Sequence, residues 1–164
     1  IVLDTIHPDP QDGNGYVAGT DDEQFDWLTS QLRDTPATMP VLLLSHAPII
    51  NAEVLVANRK KDARKIELSG GLMCLDNLRL IDLFKKHPNV KLSLSGHIHN
   101  VERVDMYGMA FLCNGAVSGS WWDGRPKTPS DRPRLTRADE GYAILDLYAD
   151  GSFKHEYVTY GWQA

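Results

Sequence analysis

Three histidines carry most of the chemistry that can be read from this sequence. His46 closes the apolar run Leu42-Leu43-Leu44-Ser45, and His97 and His99 follow Leu92-Ser93-Leu94-Ser95-Gly96. Imidazole is a nitrogen donor that is largely neutral near pH 7. It suits Zn, Fe, Mn, Ni or Cu, so residue type alone leaves the metal open. His97 and His99 are two apart, and in extended backbone residues i and i+2 point the same way. The pair is therefore expected to converge, with Gly96 permitting a sharp exit from the strand. One strand-end histidine is more often a hydrogen-bonded loop residue than a ligand. Three of them, each after an apolar strand, favour a metal site. His7, His87 and His155 lack that setting and read as surface or loop residues.

The elements that must position these residues follow from apolar pattern and punctuation. Ile1 to Thr5 has a strand pattern, and His7 to Gly19, rich in Pro, Asp, Gly and Asn, reads as a loop. Asp21 or Asp22 can cap a helix to about Leu32, with Phe25, Leu28 and Leu32 on one face. Met39 to Ser45 holds the continuous apolar run Val41-Leu42-Leu43-Leu44, as expected of a strand buried on both faces, and Val90 to Ser95 reads as a second core strand. Between them, Asp76 to Lys86 reads as a helix, with Asp76 as its cap and His87-Pro88 as its stop. Two hairpins follow. One turns at Tyr107-Gly108 between 101–106 and 109–114, the other at Ala149-Asp150-Gly151 between 142–148 and 152–160. In sheets flanked by helices, functional groups gather beyond the carboxyl ends of strands, where all three histidines fall.

Composition narrows the function. The chain has 164 residues and a net charge of −5, with both signs interspersed. The basic stripe of a duplex nucleic-acid binder is not visible, and Arg59, Lys60, Lys61, Arg64 and Lys65 read as a solvated face. No apolar run approaches the ~20 residues of a membrane-spanning helix. Cys74 and Cys113 form no CxxC pair, and buried free thiols are favoured over a disulfide. The segment Gly115 to Asp139 is a long Gly/Pro/Arg-rich loop. Trp121, Trp122 and Arg125 within it are candidate substrate-binding residues, against a reading in which the tryptophans cover a sheet edge. The second strand of the first hairpin runs back toward Gly96-His97-Ile98-His99, so this loop is expected to border the site.

Leu44-Ser45-His46-Ala47-Pro48 and Gly96-His97-Ile98-His99 resemble the two C-terminal signatures of the calcineurin-like metallophosphoesterases, an SHxP-like segment and a GHxH segment. Asn100-Val101-Glu102-Arg103 continues the second in the manner of that family. Residues 22–28 are similar to the helix before the SHxP strand in many members. The resemblance covers about residues 1–114, and 115–124 more loosely resembles a loop of a bacterial subgroup. It implies an α/β fold, a mixed β-sheet sandwich with flanking helices. Residues 1–164 would be the C-terminal part of a single such domain, its N-terminal part absent. It also implies metal-dependent hydrolysis of a small-molecule phosphoester, monoester or diester. Two divalent ions (Mn, Fe or Zn) would serve the complete enzyme, His46 and His97 on one and His99 on the other.

The family's other ligands come from DxH, GD and GNH segments, and the GNH histidine is given the role of protonating the leaving group. None of these segments occurs here. Three neutral imidazoles leave two divalent cations uncompensated, and a dinuclear centre ~3.5–4 Å across needs carboxylate to hold both ions. The chain alone is thus expected to be inactive, with no catalytic acid of its own and the missing half of the domain as its partner. Two rival readings stay open. One is a mononuclear zinc site of three histidines. The other is a non-catalytic binding or assembly module with a vestigial histidine cluster.

Overall fold

A computed structural model describes residues 1–52, 54, 68–119 and 138–161. Among the described residues, nine strands and two helices run in the order β1 (Val2–Leu3), β2 (Ile6–Pro8), β3 (Tyr16–Ala18), α1 (Asp22–Asp34), β4 (Val41–Ser45), α2 (Asn77–Phe84), β5 (Val90–Ser95), β6 (Glu102–Met106), β7 (Met109–Cys113), β8 (Gly141–Leu147) and β9 (Phe153–Thr159). A five-stranded mixed sheet has the order β1-β4-β5-β7-β6. Its first three pairings are parallel and the last is antiparallel. The carboxyl ends of β1, β4, β5 and β7 therefore lie along one edge.

Side-chain alternation sorts the sheet into two buried faces. Leu3, Leu43 and Phe111 point to the face covered by Leu28 and Leu32 of α1 and by Leu80, Ile81, Leu83 and Phe84 of α2. Leu92, Ala110 and Leu112 point to the other, where Leu145 and Phe153 of the β8–β9 ribbon meet them. The result is a mixed α/β architecture with helices, sheet and ribbon in layers, as the resemblance implies. A sheet covered on both faces explains why β4 reads as a continuous apolar run over Val41 to Leu44. The cover is incomplete over β4, where Leu44 remains 36% exposed. Among the described residues no helix is long and apolar enough to cross a membrane.

Helix α1 starts where Asp21 accepts the Gln24 N–H at 2.7 Å. Helix α2 departs from the expected cap. Asp76 makes no capping bond, because its carboxylate accepts the Thr20 hydroxyl at 2.5 Å and the Thr20 N–H at 3.2 Å. The segment 7–19 is likewise more ordered than a loop. The β2–β3 hairpin flanks a turn tied by Asp9 N–H to Gly15 O and Gly15 N–H to Asp12 O. Its strands are three residues each, too short to show a period against the turn-forming residues between them. His7 and His155 lie on strands rather than in loops. His7 contacts Gly19 O at 3.1 Å and His155 contacts Asn114 Oδ1 at 2.7 Å.

The β6–β7 turn has Tyr107 and Gly108 both left-handed, at φ 53° and 77°. That geometry matches the twist of the paired strands and favours glycine. Gly108→Ala is expected to destabilise the fold by about 1–2 kcal/mol through backbone strain alone, since a Cβ there meets no neighbour within 4 Å. A thermal melt against wild type measures it.

Candidate metal centre

His46 leaves the end of β4 and His97 the end of β5, neighbouring parallel strands whose ladder continues as Gly96 N–H donates to His46 O at 3.1 Å. This bond sets the two histidine-bearing loops side by side. The rings meet edge to face, with centroids 4.9 Å apart. His97 Nδ1 lies 3.0 Å from His46 Nε2. His46 is exposed, and His97 and His99 are half-buried.

The convergence does not arise as the extended-strand argument expects. His97 and His99 are both left-handed, at φ 68° and 57°. Ile98 N–H donates to Gly96 O at 2.7 Å, closing a three-residue turn over His97. An i to i+2 bond over a central residue of positive φ is the rare, strained form of γ-turn. Gly96 itself has no positive φ, and a Cβ on it would meet open space. The sharp exit is therefore made by His97 and not by the glycine. Left-handed backbone at a non-glycine residue costs about 1–3 kcal/mol and persists only where surrounding structure enforces it, which concentrates such residues at functional sites. Here the enforcing contacts are visible. Ile98 is buried against Val54 and Cys113, with Leu72 and Met73 alongside. The Cys113 thiol donates to Gly96 O at 3.1 Å.

The partners of His97 fix its tautomer. Its Nε2 lies 2.8 Å from the carbonyl oxygen of Gly71, which can only accept, so Nε2 carries the proton. Nδ1 then presents its lone pair toward His46. A ring N–H held by a backbone carbonyl, with the opposite nitrogen facing a shared point, is the usual outer-shell arrangement of a metal-ligating histidine. The spacing also fits. Two imidazole nitrogens at about 2.0–2.1 Å from one ion lie about 2.9–3.4 Å apart, from octahedral to tetrahedral angles. The observed separation is 3.0 Å. Without a cation, the same contact is satisfied by His46 Nε2–H donating to His97 Nδ1.

Charge agrees with neutral rings. Burial lowers the His97 pKa, with repulsion from His46 and His99 adding to it and the Gly71 carbonyl opposing it. Burial likewise lowers that of His99, opposed by a hydrogen bond to the Gly119 backbone and assisted by His46. The three imidazoles thus act on one another electrostatically. No group of three or more His, Cys, Asp and Glu side chains among the described residues is arranged to hold a metal. The pair His46–His97 fits one cation, and His99 approaches without completing a three-ligand set.

Stability linked to the two lowered histidines follows from their sign. The unfolded chain takes up protons near the ordinary value of 6.5, while folded His97 and His99 resist them. Their contribution is full above pH 6.5 and is lost as pH falls through the lowered folded values. Urea denaturation is expected to show lower stability at about pH 5.5 than at about pH 7.5, with a smaller difference in His97→Ala. An unchanged difference would remove His97 from the titration.

Tyr16 belongs to this site and the sequence does not single it out. Its ring meets His97 edge-on at a centroid distance of 5.9 Å, and its hydroxyl lies 3.4 Å from Nε2. The β2–β3 hairpin delivers it across 81 residues of sequence, a pairing that no local pattern encodes. Trp121, Trp122 and Arg125 lie outside the described residues, as does the basic run 59–65. The chain does enter the 115–139 segment at the site, since Gly119 bonds His99. Cys74 and Cys113 are buried free thiols, as expected.

Fold and site together define a mixed α/β domain with an imidazole pair on the carboxyl edge of its parallel strands. Among known proteins, no family model matches the chain. Two curated relatives do, and both are phosphodiesterases by name. Over 149 residues the chain is 28% identical to a 3′,5′-cyclic-nucleotide phosphodiesterase of Nostoc sp., covering 89% of this chain and 48% of that protein. Over 158 residues it is 28% identical to a protein of Synechococcus sp. named "probable cyclic nucleotide phosphodiesterase", covering 95% and 49%. The chain spans about half the length of the curated relatives it matches. Among solved structures, a dimetal phosphatase from Danio rerio aligns with a TM-score of 0.46 at 18% identity, over 62% of this chain and 29% of that one. Vps29 from Entamoeba histolytica, solved with zinc, aligns over 96% of both chains with a TM-score of 0.29 at 15% identity. Both scores fall below 0.5, and neither likeness supports an assignment.

Proposed function

We propose that this chain supplies the imidazole ligands of a metal-dependent phosphodiester hydrolase of the calcineurin-like class, with 3′,5′-cyclic nucleotides as its substrate class. The observation that carries the reading is the His46–His97 pair, 3.0 Å apart, with the second nitrogen of His97 tied to Gly71 O. The names of the two cyanobacterial relatives support the substrate class. His46 and His97 hold one divalent ion and His99 contributes to a second, drawn from Mn, Fe or Zn. When bound, such ions polarise phosphoryl oxygens and activate water as a nucleophile. The residues of this chain do the positioning. The Gly71 carbonyl keeps the His97 proton on Nε2, and buried Ile98 keeps water from beneath the turn. Trp121, Trp122 and Arg125, which follow Gly119 in the sequence, are the residues proposed to contact the nucleotide.

Among the described residues, the imidazole cluster carries no anionic ligand to balance two divalent cations. In this reading the bridging carboxylate and the acid that protonates the leaving group belong to the DxH, GD and GNH segments, which this sequence lacks, and the chain alone turns over negligibly. Hydrolysis of bis(p-nitrophenyl) phosphate and of 3′,5′-cyclic AMP with excess Mn²⁺ tests both statements. The 164-residue chain is expected to be inactive. A longer form carrying the carboxylates is expected to be active and to lose activity in His97→Ala. Robust turnover by the chain alone that disappears in His46→Ala would overturn the expected inactivity. A longer form with neither turnover nor metal would overturn the proposal.

One observation favours a non-catalytic module instead. Both ring nitrogens of His97 already have protein partners. Metal stoichiometry separates the readings. Two ions per complete site favour the phosphoesterase, one favours a three-histidine zinc centre, and none favours the module.

A further inference from the structure

The loop that leaves His46 and the loop that leaves His99 are joined by a buried side-chain network to which the metal reading gives no role. Asn51, Asn100 and Glu102 are 1%, 2% and 9% exposed. Asn51 Nδ2 donates to Asn100 Oδ1 at 3.4 Å, and Asn100 Nδ2 donates to Glu102 Oε2 at 3.2 Å. The other Glu102 oxygen accepts the Ala52 N–H, and Asn51 Oδ1 accepts the Val54 N–H at 3.2 Å. Every amide and carboxylate atom of the three side chains thus has a partner. Such a network is rigid, because any rotation leaves a polar atom unsatisfied in a site of low dielectric. Apolar side chains would fill the same space without the cost of desolvating a carboxylate, so the value of the network lies in the geometry it enforces.

We infer that Asn51, Asn100 and Glu102 act as a positioning latch for the histidine cluster, a role that rests on reading those histidines as metal ligands. Asn100 directly follows His99, whose left-handed backbone relaxes if the next peptide is free to turn. Anchoring the Asn100 amide on both sides removes that freedom. Through Asn51 and Ala52 the same network fixes the segment that begins at His46, so the two loops cannot move independently.

The direction of the hydrogen bonds provides a test. Glu102→Gln is isosteric but puts a donor where both neighbours, Ala52 N–H and Asn100 Nδ2, already donate. Flipping the Asn100 and Asn51 amides only moves the clash to the Val54 N–H. Adding Asn51→Asp removes it. The carboxylate introduced at position 51 would accept from Val54 N–H and from a flipped Asn100 amide. The Asn100 oxygen would then accept from the amide introduced at position 102, whose own oxygen would accept from Ala52 N–H.

Mn²⁺ affinity of the 164-residue chain is measured by calorimetry. The imidazole ¹H–¹⁵N spectrum is recorded alongside, with His7 and His155 as internal controls and circular dichroism to check folding. Glu102→Gln is expected to weaken Mn²⁺ binding by about 10–100-fold, the usual cost of losing an outer-shell partner. It should move the His46 and His99 signals but not those of the controls. The double variant should restore both. A single variant with wild-type affinity and signals would overturn the latch, as would a double variant as weak as the single. If the wild-type chain binds no Mn²⁺, the metal reading falls and the spectrum decides the latch alone. Signals that move and return uphold it, and signals that never move overturn it. If Glu102→Gln fails to fold, Asn51→Ala breaks the opposite end, with the same expected losses and the same overturning result.

Discussion

His97→Ala is expected to weaken binding of Mn²⁺ or Zn²⁺ to the chain by more than about 100-fold, since losing an outer-shell partner alone costs about 10–100-fold. The residue does three things at once. Its Nδ1 faces His46 at 3.0 Å, its Nε2 engages Gly71 O, and its ring meets Tyr16. His46→Ala removes the facing nitrogen and should be nearly as damaging, whereas His99→Ala should leave measurable binding at the remaining pair. Wild-type affinity itself should be modest, because among the described residues no carboxylate joins the imidazoles. His155→Ala, on β9 with Asn114 as its partner, is the control and should bind like wild type. Titration calorimetry on the four variants reads this directly, and equal binding by all of them would remove the histidines from any metal site.

Leu43→Ala is expected to destabilise the fold by about 2–5 kcal/mol. Leu43 is fully buried at the centre of β4, between β1 and β5, and packs in the helix-side core. The cavity cannot collapse easily, because the strand is held on both sides by parallel ladders. The loss bears on function as well as stability, since β4 delivers His46. Leu44→Ala, one residue on and 36% exposed, should cost far less. Urea denaturation of both variants measures the contrast, and similar midpoints would show that the two faces of β4 are equally covered.

The elements that position the site were legible because their signals are local. The apolar run 41–44 marked β4, the strand-like segment Val90 to Ser95 marked β5, a 3.6-residue period with Asp21 marked α1, and Tyr107-Gly108 marked a two-residue turn. The order of the sheet then placed the histidines on one edge. The geometry of the centre was not legible, because it is set by partners distant in sequence. Gly96 is the obvious conformational outlier to a reader of sequence, yet the strained residue is His97, held by the burial of Ile98 and the thiol of Cys113. Asp76 has the right type and place for a cap, but Thr20, 56 residues away, takes its carboxylate. Tyr16 and the Asn51–Asn100–Glu102 network are invisible for the same reason. Hydrogen bonds between side chains 49 or 81 residues apart leave no period and no spacing.

The two cysteines offer a further use. Cys74 lies in the helix-side core and Cys113 in the separate cluster beneath the histidine turn. Burial pushes both thiols up to about 12. The thiolate is the form that an alkylating reagent captures, so neither sulfur should react while its surroundings stay closed. Iodoacetamide labelling, resolved by peptide mass, then acts as a pair of clocks built into the chain. Label on Cys113 ahead of Cys74 would time breathing of the histidine edge against an intact helical layer. Equal rates would mean that the edge opens only when the whole molecule does.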